Sequence, residues 1–281
     1  MLRACLTYCL SLVVNGLCAV SHKTGPKQKS LFKKLLCFVI VLSLLTTYTV
    51  YAQQATKQVH EQGQVWLGYF NQTRLSEKFS LWLDLHVRRT DLLDRWSTTI
   101  IRPGITFHLP HHINLTAGYA YISHFPAAGL NTIRPEHRPW QQISYMRRAK
   151  KLQTLQWLRF EQRFNRKVSN DELQEGYNFN YRFRYMFTCM IPLKGDYIEA
   201  KVPFFILNDE VHINAGKQIN YNYFDQNRFF AGFGYQFTKT LNAQLGYMNL
   251  FQQLPAGNRF NNNHTIRLFF FNNIDLRKKS S

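Results

Sequence analysis

Aromatic side chains occupy every second position between residues 176 and 190. They are Tyr177, Phe179, Tyr181, Phe183, Tyr185 and Phe187, and between them lie Asn178, Asn180, Arg182, Arg184 and Met186. Strict alternation is typical of a β-strand with two different faces. A soluble sheet turns its polar face to water. A transmembrane barrel turns its apolar face to lipid and its polar face to the lumen.

Similar segments follow one another along the chain, and none of them has a convincing helical period. Each has roughly ten residues, the length that a tilted strand needs to cross a bilayer. We therefore predict an all-β fold, an antiparallel transmembrane β-barrel of about 10–12 strands, with a soluble β-sandwich as the alternative. The count stays open because residues 197–219 either cross once or turn at Asn208 and Asp209. The predicted strands are 65–73, 79–89, 98–107, 113–122, 140–149, 152–166, 176–190, 197–207, 211–219, 228–237, 241–254 and 265–274.

The predicted connections alternate between tight turns and long loops. The tight set is 74–78, 109–112, 150–151, 193–196 and 238–240, and the long set is 125–139, 167–175, 220–227 and 255–263. Short turns at one rim and long loops at the other are the pattern of outer-membrane barrels.

The first 52 residues differ from the rest of the chain. They contain no Asp or Glu, and basic residues precede an apolar run at 35–45 that ends in small residues up to Ala52. This run is shorter than the roughly twenty residues of a spanning helix. We interpret residues 1–52 as an N-terminal extension and signal peptide, cleaved after Ala52, and residues 53–281 as a single barrel domain. The true translation start stays open.

The charge balance is strongly basic. Residues 1–52 hold six of the 35 Lys and Arg residues and none of the 16 acidic ones, so residues 53–281 hold 29 against 16. The arginines are interleaved with the strands rather than clustered, which disfavours nucleic-acid binding. Attraction to lipopolysaccharide, or arginines in the lumen, explains the surplus more simply. The predicted domain has one cysteine, Cys189, and so no internal disulfide.

Five short motifs carry a family resemblance. They are EHRPWQQ at 136–142, LRFEQRF at 158–164, FDQNR at 224–228, AGFGY at 231–235 and LGYM at 245–248. In this order they resemble the bacterial "domain of unknown function 2490" family (DUF2490), which is typical of Bacteroidetes. The resemblance covers about residues 65–272. It implies an outer-membrane barrel without an assigned activity, and it supplies no catalytic residue.

Alternation places several charged side chains in the predicted lumen. Trp157, Arg159, Glu161 and Arg163 share one parity, and the polar face of the next strand carries two more arginines. Such a set is either an anion-selective constriction or a structural network that fills a small barrel. The candidate lumen network is Arg159, Glu161, Arg163, Arg182 and Arg184.

Histidines mark two further candidates. Glu136, His137 and Arg138 precede Trp140 at the end of the longest predicted loop. The histidine, beside Glu and Arg, is either a general base or a loop residue that fixes the loop at the barrel mouth. Three histidines flank Pro110, either as a metal site or as a solvated turn. Neither has a recognisable catalytic or metal motif around it, so we expect no catalytic residue, cofactor or metal.

These features predict an outer-membrane, porin-like β-barrel of unassigned activity. It is either a narrow, anion-preferring channel or a structural and interaction barrel. One alternative is an outer-membrane enzyme acting on lipid or lipopolysaccharide, and another is a soluble extracytoplasmic β-sandwich that binds a ligand. The expected partners are outer-membrane lipid, lipopolysaccharide and the outer-membrane assembly machinery, without nucleic acid. The solute, the oligomeric state and whether the lumen is open or plugged are left open.

Overall fold

A computed structural model describes residues 56–277. The predicted signal peptide and its cleavage site lie outside these residues. The described part has eleven strands, one short 3-10 helix at Pro110–His112 and no α-helix. No helix in it is long and apolar enough to cross a membrane. The strands are β1 (Gln58–Arg74), β2 (Phe79–Thr90), β3 (Arg95–His108), β4 (Ile113–His124), β5 (Arg134–Ala149), β6 (Leu152–Ser169), β7 (Glu172–Pro192), β8 (Val202–Ala215), β9 (Phe224–Gln236), β10 (Leu241–Gln253) and β11 (Arg259–Asp275).

The eleven strands close into one barrel in sequence order. Each strand pairs antiparallel with the next, and β1 closes the barrel by pairing parallel with β11, where Trp66 lies opposite Arg267. An odd number of strands makes this unavoidable, because the first and last strands then run the same way. The predicted barrel of about 10–12 strands is confirmed. Its all-antiparallel pairing is wrong at this seam, and the β-sandwich alternative is wrong.

The segment 197–219 crosses the barrel once. β8 pairs with β7 without interruption from Tyr181 opposite Ala215 to Pro192 opposite Phe204, and Asn208 and Asp209 lie within this ladder. Of the two possibilities left open for this segment, the single crossing is confirmed and the turn at Asn208 and Asp209 is wrong. Residues 193–201 form the connection before β8, which is longer than the predicted turn.

The two faces of each strand are inverted relative to a soluble protein. On β2, Ser80 and Asp84 are buried inside the barrel, whereas Leu81 and Leu85 are exposed on its outer wall. On β7, Phe183 is 50% exposed and Arg182 only 5%. The polar face thus fills the lumen and the apolar face forms the wall.

The connections at the two rims of the barrel differ less in length than the sequence predicts. The turn rim holds 75–78, 109–112, 150–151, 193–201 and 237–240, and the loop rim holds 91–94, 125–133, 170–171, 216–223 and 254–258. The loop predicted at 167–175 is a hairpin, because Asn170 and Asp171 adopt φ of 52° and 57° and close a two-residue turn. This is the conformation that hairpins of this length prefer.

Two large rings fill the lumen over glycines of the same or the neighbouring strand. Trp140 is fully buried opposite Gly118, and a Cβ at Gly118 would lie 2.9 Å from Trp140 Cε2. Phe230 is also fully buried, and a Cβ at Gly232 would lie 2.7 Å from its Cζ. Any side chain at these two glycines would displace the ring that closes the lumen there.

Candidate functional site: the charge network of the lumen

Glu161 on β6 is the centre of the network. It is fully buried, and its Oε2 accepts hydrogen bonds from Arg182 Nε at 2.8 Å and Nη2 at 2.6 Å. Its other oxygen accepts from Arg184 Nη1 at 2.7 Å. Arg138 Nη1 lies 3.7 Å away. One carboxylate thus orders two guanidinium groups of β7 through charge-assisted hydrogen bonds and attracts a third guanidinium from β5.

Glu136 on β5 forms a second centre toward the loop rim. Arg138 Nη2 lies 2.6 Å from its Oε1, and Arg163 Nε donates to the same oxygen at 2.8 Å. His124 Nε2 lies 2.8 Å from the other oxygen. Arg138 therefore joins the Glu136 centre to the Glu161 centre.

Two more carboxylates extend the network across β8 and β9. Glu210 accepts from Arg184 Nε at 2.7 Å and lies 2.9 Å from His212 Nε2. Asp225 accepts from Arg182 Nη1 at 3.0 Å. Each of these arginines bridges two carboxylates, so removing one member affects both neighbours.

A separate cluster lies on β2 and β3. Asp84 is fully buried, and its Oδ2 accepts from Arg102 Nη1 and from Trp82 Nε1, each at 3.1 Å. His86 Nε2 lies 3.2 Å from Oδ1. One oxygen of this carboxylate is therefore held by a cation and an indole, and an imidazole lies beside the other.

The structure places all five candidate network residues in the lumen. Glu161, Arg163, Arg182 and Arg184 belong to the ion pairs described above. Arg159 does not: its guanidinium stacks over Trp140 at 4.5 Å and Trp157 at 4.8 Å, and its Nε donates to Gln142 at 2.9 Å.

The second candidate set lies within β5, which begins earlier than the predicted loop end. Glu136, Arg138 and Trp140 point into the lumen, with 0%, 5% and 0% exposure. His137 has the opposite parity, and Tyr119 on the outer wall hydrogen-bonds its Nδ1. The three neighbours Glu136, His137 and Arg138 therefore do not form one catalytic site.

Sequence reasoning missed three of the five carboxylates of the lumen, namely Asp84, Glu210 and Asp225. The signal for Glu210 was present: Asn208, Glu210, His212 and Asn214 alternate on one face of β8, and all four are buried. It was hidden because the segment was divided into two strands near Asp209. For Asp225 the predicted strand began three residues too late, at Arg228.

The lumen carries more arginine than carboxylate. Trp66 is paired with Arg88 on β2 and with Arg267 on β11. Neither arginine has a carboxylate within 4.0 Å among the described residues. Arg88 stacks 3.6 Å from the Trp66 ring, and Arg267 stacks 3.3 Å from the Phe230 ring. The lumen arginines are 88, 102, 138, 159, 163, 182, 184, 228 and 267, and the carboxylates are 84, 136, 161, 210 and 225.

Apolar side chains fill part of the lumen, from β7 around to β1 at the parallel seam. Trp66, Met190, Phe204, Ile206, Phe230, Met248, Leu250 and Phe269 form one buried cluster. A second cluster surrounds Trp140. Charged and apolar layers together leave the centre of the barrel filled by its own side chains.

The histidines at the turn rim show no sign of a metal centre. Within residues 56–277 there is no group of three or more side chains arranged to ligate a metal ion. His108 lies between Ser80 Oγ and Asn114 Oδ1, each at 2.6 Å. His111 and His112 both adopt φ of 60° in the exposed turn.

At the loop rim, one carboxylate ties two connections together. Asp171 in the β6–β7 turn accepts from the backbone N–H groups of Thr132 and Asn131, each at 2.8 Å. These hydrogen bonds favour the ionised form and hold the pKa of Asp171 below its usual value. The loop between β4 and β5 is therefore fixed to the neighbouring hairpin.

Fold and lumen define a closed β-barrel protein with an apolar wall and a charged, filled interior. The chain belongs to the family described as "Protein of unknown function (DUF2490)", whose sequence model matches residues 63–261. The predicted family is thereby confirmed. No curated protein and no solved structure matches the chain.

Proposed function

We propose that this protein is a bacterial outer-membrane barrel that serves as a structural and interaction protein, with a lumen closed by its own charge network. The observation that carries the proposal is Glu161, which is fully buried at the centre of the lumen and bonded to arginines on β7. A solute path through this layer would have to separate those ion pairs.

The outer wall supports a membrane location. Large apolar side chains are exposed around the barrel, among them Ile101, Ile105, Leu158, Phe183 and Phe233 at 50–62%. In water this surface would favour aggregation, whereas in a bilayer it meets lipid tails. Outer-membrane lipid, lipopolysaccharide and the barrel assembly machinery are the partners that such a location implies.

The surplus of arginine over carboxylate determines which ions an opened lumen would conduct. Nine guanidinium groups against five carboxylates make the interior positive, so a rearranged lumen would admit small anions before cations. The narrow, anion-preferring channel is thus a second candidate function, and it requires that the Glu161 layer open.

Conductance measurements on the purified full chain in planar bilayers test the proposal. We expect no steady conductance from the wild-type barrel, and a small anion-selective conductance from Glu161→Gln. Heat-modifiable mobility on a gel, measured on the same samples, verifies that both are folded barrels in detergent. A steady open conductance of the wild type would overturn the closed-lumen proposal in favour of the channel.

A further inference from the structure

We propose that the outer wall at the parallel seam carries an acyl-ester hydrolase site. In this site Tyr247 is the nucleophile, His264 the general base, and Glu61 the carboxylate that orients the imidazole. The proposal rests on the proposed membrane location, because the substrate is a membrane lipid ester. It is independent of the charge network in the lumen.

The three side chains form a continuous hydrogen-bonded chain on the outer wall. Tyr247 Oη lies 2.6 Å from His264 Nδ1, and His264 Nε2 lies 2.9 Å from Glu61 Oε2. The three residues come from β10, β11 and β1, so only the closed barrel brings them together. Their exposure of 46–57% leaves them accessible from the membrane.

With an ionised carboxylate and a neutral imidazole, the bonding pattern assigns the protons. An ionised carboxylate can only accept, so Glu61 requires the proton on Nε2 of the neutral imidazole. Nδ1 then carries a lone pair and accepts from the Tyr247 hydroxyl. This is the order carboxylate, imidazole, hydroxyl that activates a nucleophile in hydrolases of unrelated folds, and tyrosine can form such a covalent intermediate.

Neighbouring amides hold the carboxylate in place. Asn262 Nδ2 donates to Glu61 Oε2 at 2.8 Å, and Asn249 Nδ2 donates to Asn262 Oδ1 at 2.7 Å. The parallel ladder sets Glu61 opposite Asn262 and Gly63 opposite His264. This register places His264 diagonally across the seam from Glu61.

The surroundings fit an acyl chain. Leu245 and Ile266, on the same two strands as the tyrosine and the histidine, are 54% and 50% exposed on the wall. Leu92, whose backbone N–H donates to the Gly63 carbonyl, is 60% exposed. A polar triad bordered by an apolar wall suits the ester region of a lipid, whose chains lie along the wall.

A second phenol–imidazole pair provides the internal comparison. Tyr119 hydrogen-bonds His137 on the outer wall, in the same way that Tyr247 bonds His264. Among the described residues, no carboxylate lies within 4.0 Å of His137. The rings of Tyr121 and Tyr177 pack around this imidazole instead. Only the seam pair has the group that would orient and stabilise an imidazolium.

The reaction is an ordinary two-step ester hydrolysis. Tyr247 Oη attacks the ester carbonyl carbon while its proton passes to His264 Nδ1. The bond from carbonyl carbon to the alkoxy oxygen breaks, and that oxygen takes the proton from Nδ1 and leaves as the alcohol. Water then attacks the acyl-tyrosine, again giving its proton to Nδ1. The acyl–Oη bond breaks, the fatty acid is released, and Tyr247 recovers its proton.

Fatty-acid release from vesicles tests the site. The full chain is inserted into vesicles of phosphatidylethanolamine and phosphatidylglycerol, and into vesicles that also contain lipid A, so that the two arms distinguish the two ester sources. Release in both arms assigns the phospholipid ester as the substrate, and release only from the vesicles with lipid A assigns the lipid A ester. Tyr247→Phe and His264→Ala should lower the rate by about a hundredfold or more, as should Glu61→Gln. Mass spectrometry should find an acyl adduct on Tyr247.

Tyr119→Phe is the matched control and should keep the wild-type rate. Heat-modifiable mobility and flotation with the vesicles are measured for every variant. An inserted wild-type barrel that releases no fatty acid in either arm overturns the hydrolase proposal alone. Equal loss of activity in Tyr247→Phe and Tyr119→Phe overturns it too. A chain that neither floats with vesicles nor shifts on heating overturns the membrane location, and the hydrolase with it.

Discussion

The two sides of the lumen accommodate buried arginine in different ways. On the β5–β9 side, Arg182 and Arg184 each bridge two carboxylates at 2.6–3.0 Å. On the seam side, Arg88 and Arg267 have no carboxylate within 4.0 Å in the part of the chain that the structure describes, and they stack on Trp66 and Phe230. The first side is stabilised by charge pairing and the second by aromatic packing. The difference indicates that the β5–β9 side is sensitive to loss of a carboxylate, whereas the seam side is not.

The largest effect should come from Glu161→Gln. Gln keeps the shape but removes the charge that both Arg182 and Arg184 share, and breaking a buried pair from one side costs about 3–5 kcal/mol. Urea unfolding of the barrel in detergent should show this loss in the free energy of unfolding. Glu61→Gln on the exposed wall is the control and should change it little. Equal losses in both variants would contradict the assignment of Glu161 as the network centre.

A slightly smaller effect should come from an arginine on the outer face of β7. It tests whether β7 accommodates arginine only where a carboxylate pairs with it. Phe183 lies on β7 between the two bridging arginines but faces outward at 50% exposure. Phe183→Arg would place an unpaired charge on the wall, at a cost of about 2–4 kcal/mol near the bilayer midplane. The yield of heat-modifiable barrel in the membrane fraction should fall. Phe183→Leu should assemble normally, and assembly of both variants would argue against a lipid-facing wall.

Much of this arrangement follows from alternation along the sequence. The aromatic ladder correctly separates Phe183 from Arg182 and Arg184, and the parity of β6 correctly separates Leu158 from Arg159. Alternation assigns a face but not a partner. Arg159 shares the parity of Glu161, yet it packs between two tryptophans because Gln142 and the rings, rather than a carboxylate, lie within its reach.

The seam could not be predicted because it depends on strand count and register. If 197–219 formed two strands, the barrel would have an even number of strands and could close with antiparallel pairs only. Eleven strands place β1 parallel to β11, and only this register sets Trp66 opposite Arg267 and Glu61 beside His264. Residues 203 positions apart in the sequence offer no local signal of such contact.

A still smaller effect, of opposite sign, should come from Arg267→Met. The substitution removes one cation from the side with surplus positive charge, and it leaves no carboxylate unpaired. Replacing even a buried ion pair by well-packed apolar side chains is often neutral or stabilising by about 1–4 kcal/mol. For Arg267→Met we expect a stabilisation at the low end of this range, because the contacts of the guanidinium with Phe230 and Phe269 are also lost. Urea unfolding measures it, and a loss as large as that of Glu161→Gln would abolish the distinction between the two sides.

The smallest expected effect is a pH-dependent change at Asp171. This carboxylate is exposed, so it contrasts with the buried carboxylates of the lumen. Backbone N–H donation from Thr132 and Asn131 keeps its folded pKa below its usual value. For a lowered pKa the stabilisation is complete above the unfolded pKa of about 3.9, and it disappears as the pH falls through the folded value. We expect hydrogen exchange at the amides of residues 131 and 132 to accelerate in that acid range, beyond its intrinsic pH dependence. Asp171→Asn keeps a residue that tolerates the positive φ of this turn but does not titrate. Measured at each pH beside the wild type, it should lack the acid-dependent step. If both proteins show the same step, Asp171 is not the group that fixes the loop.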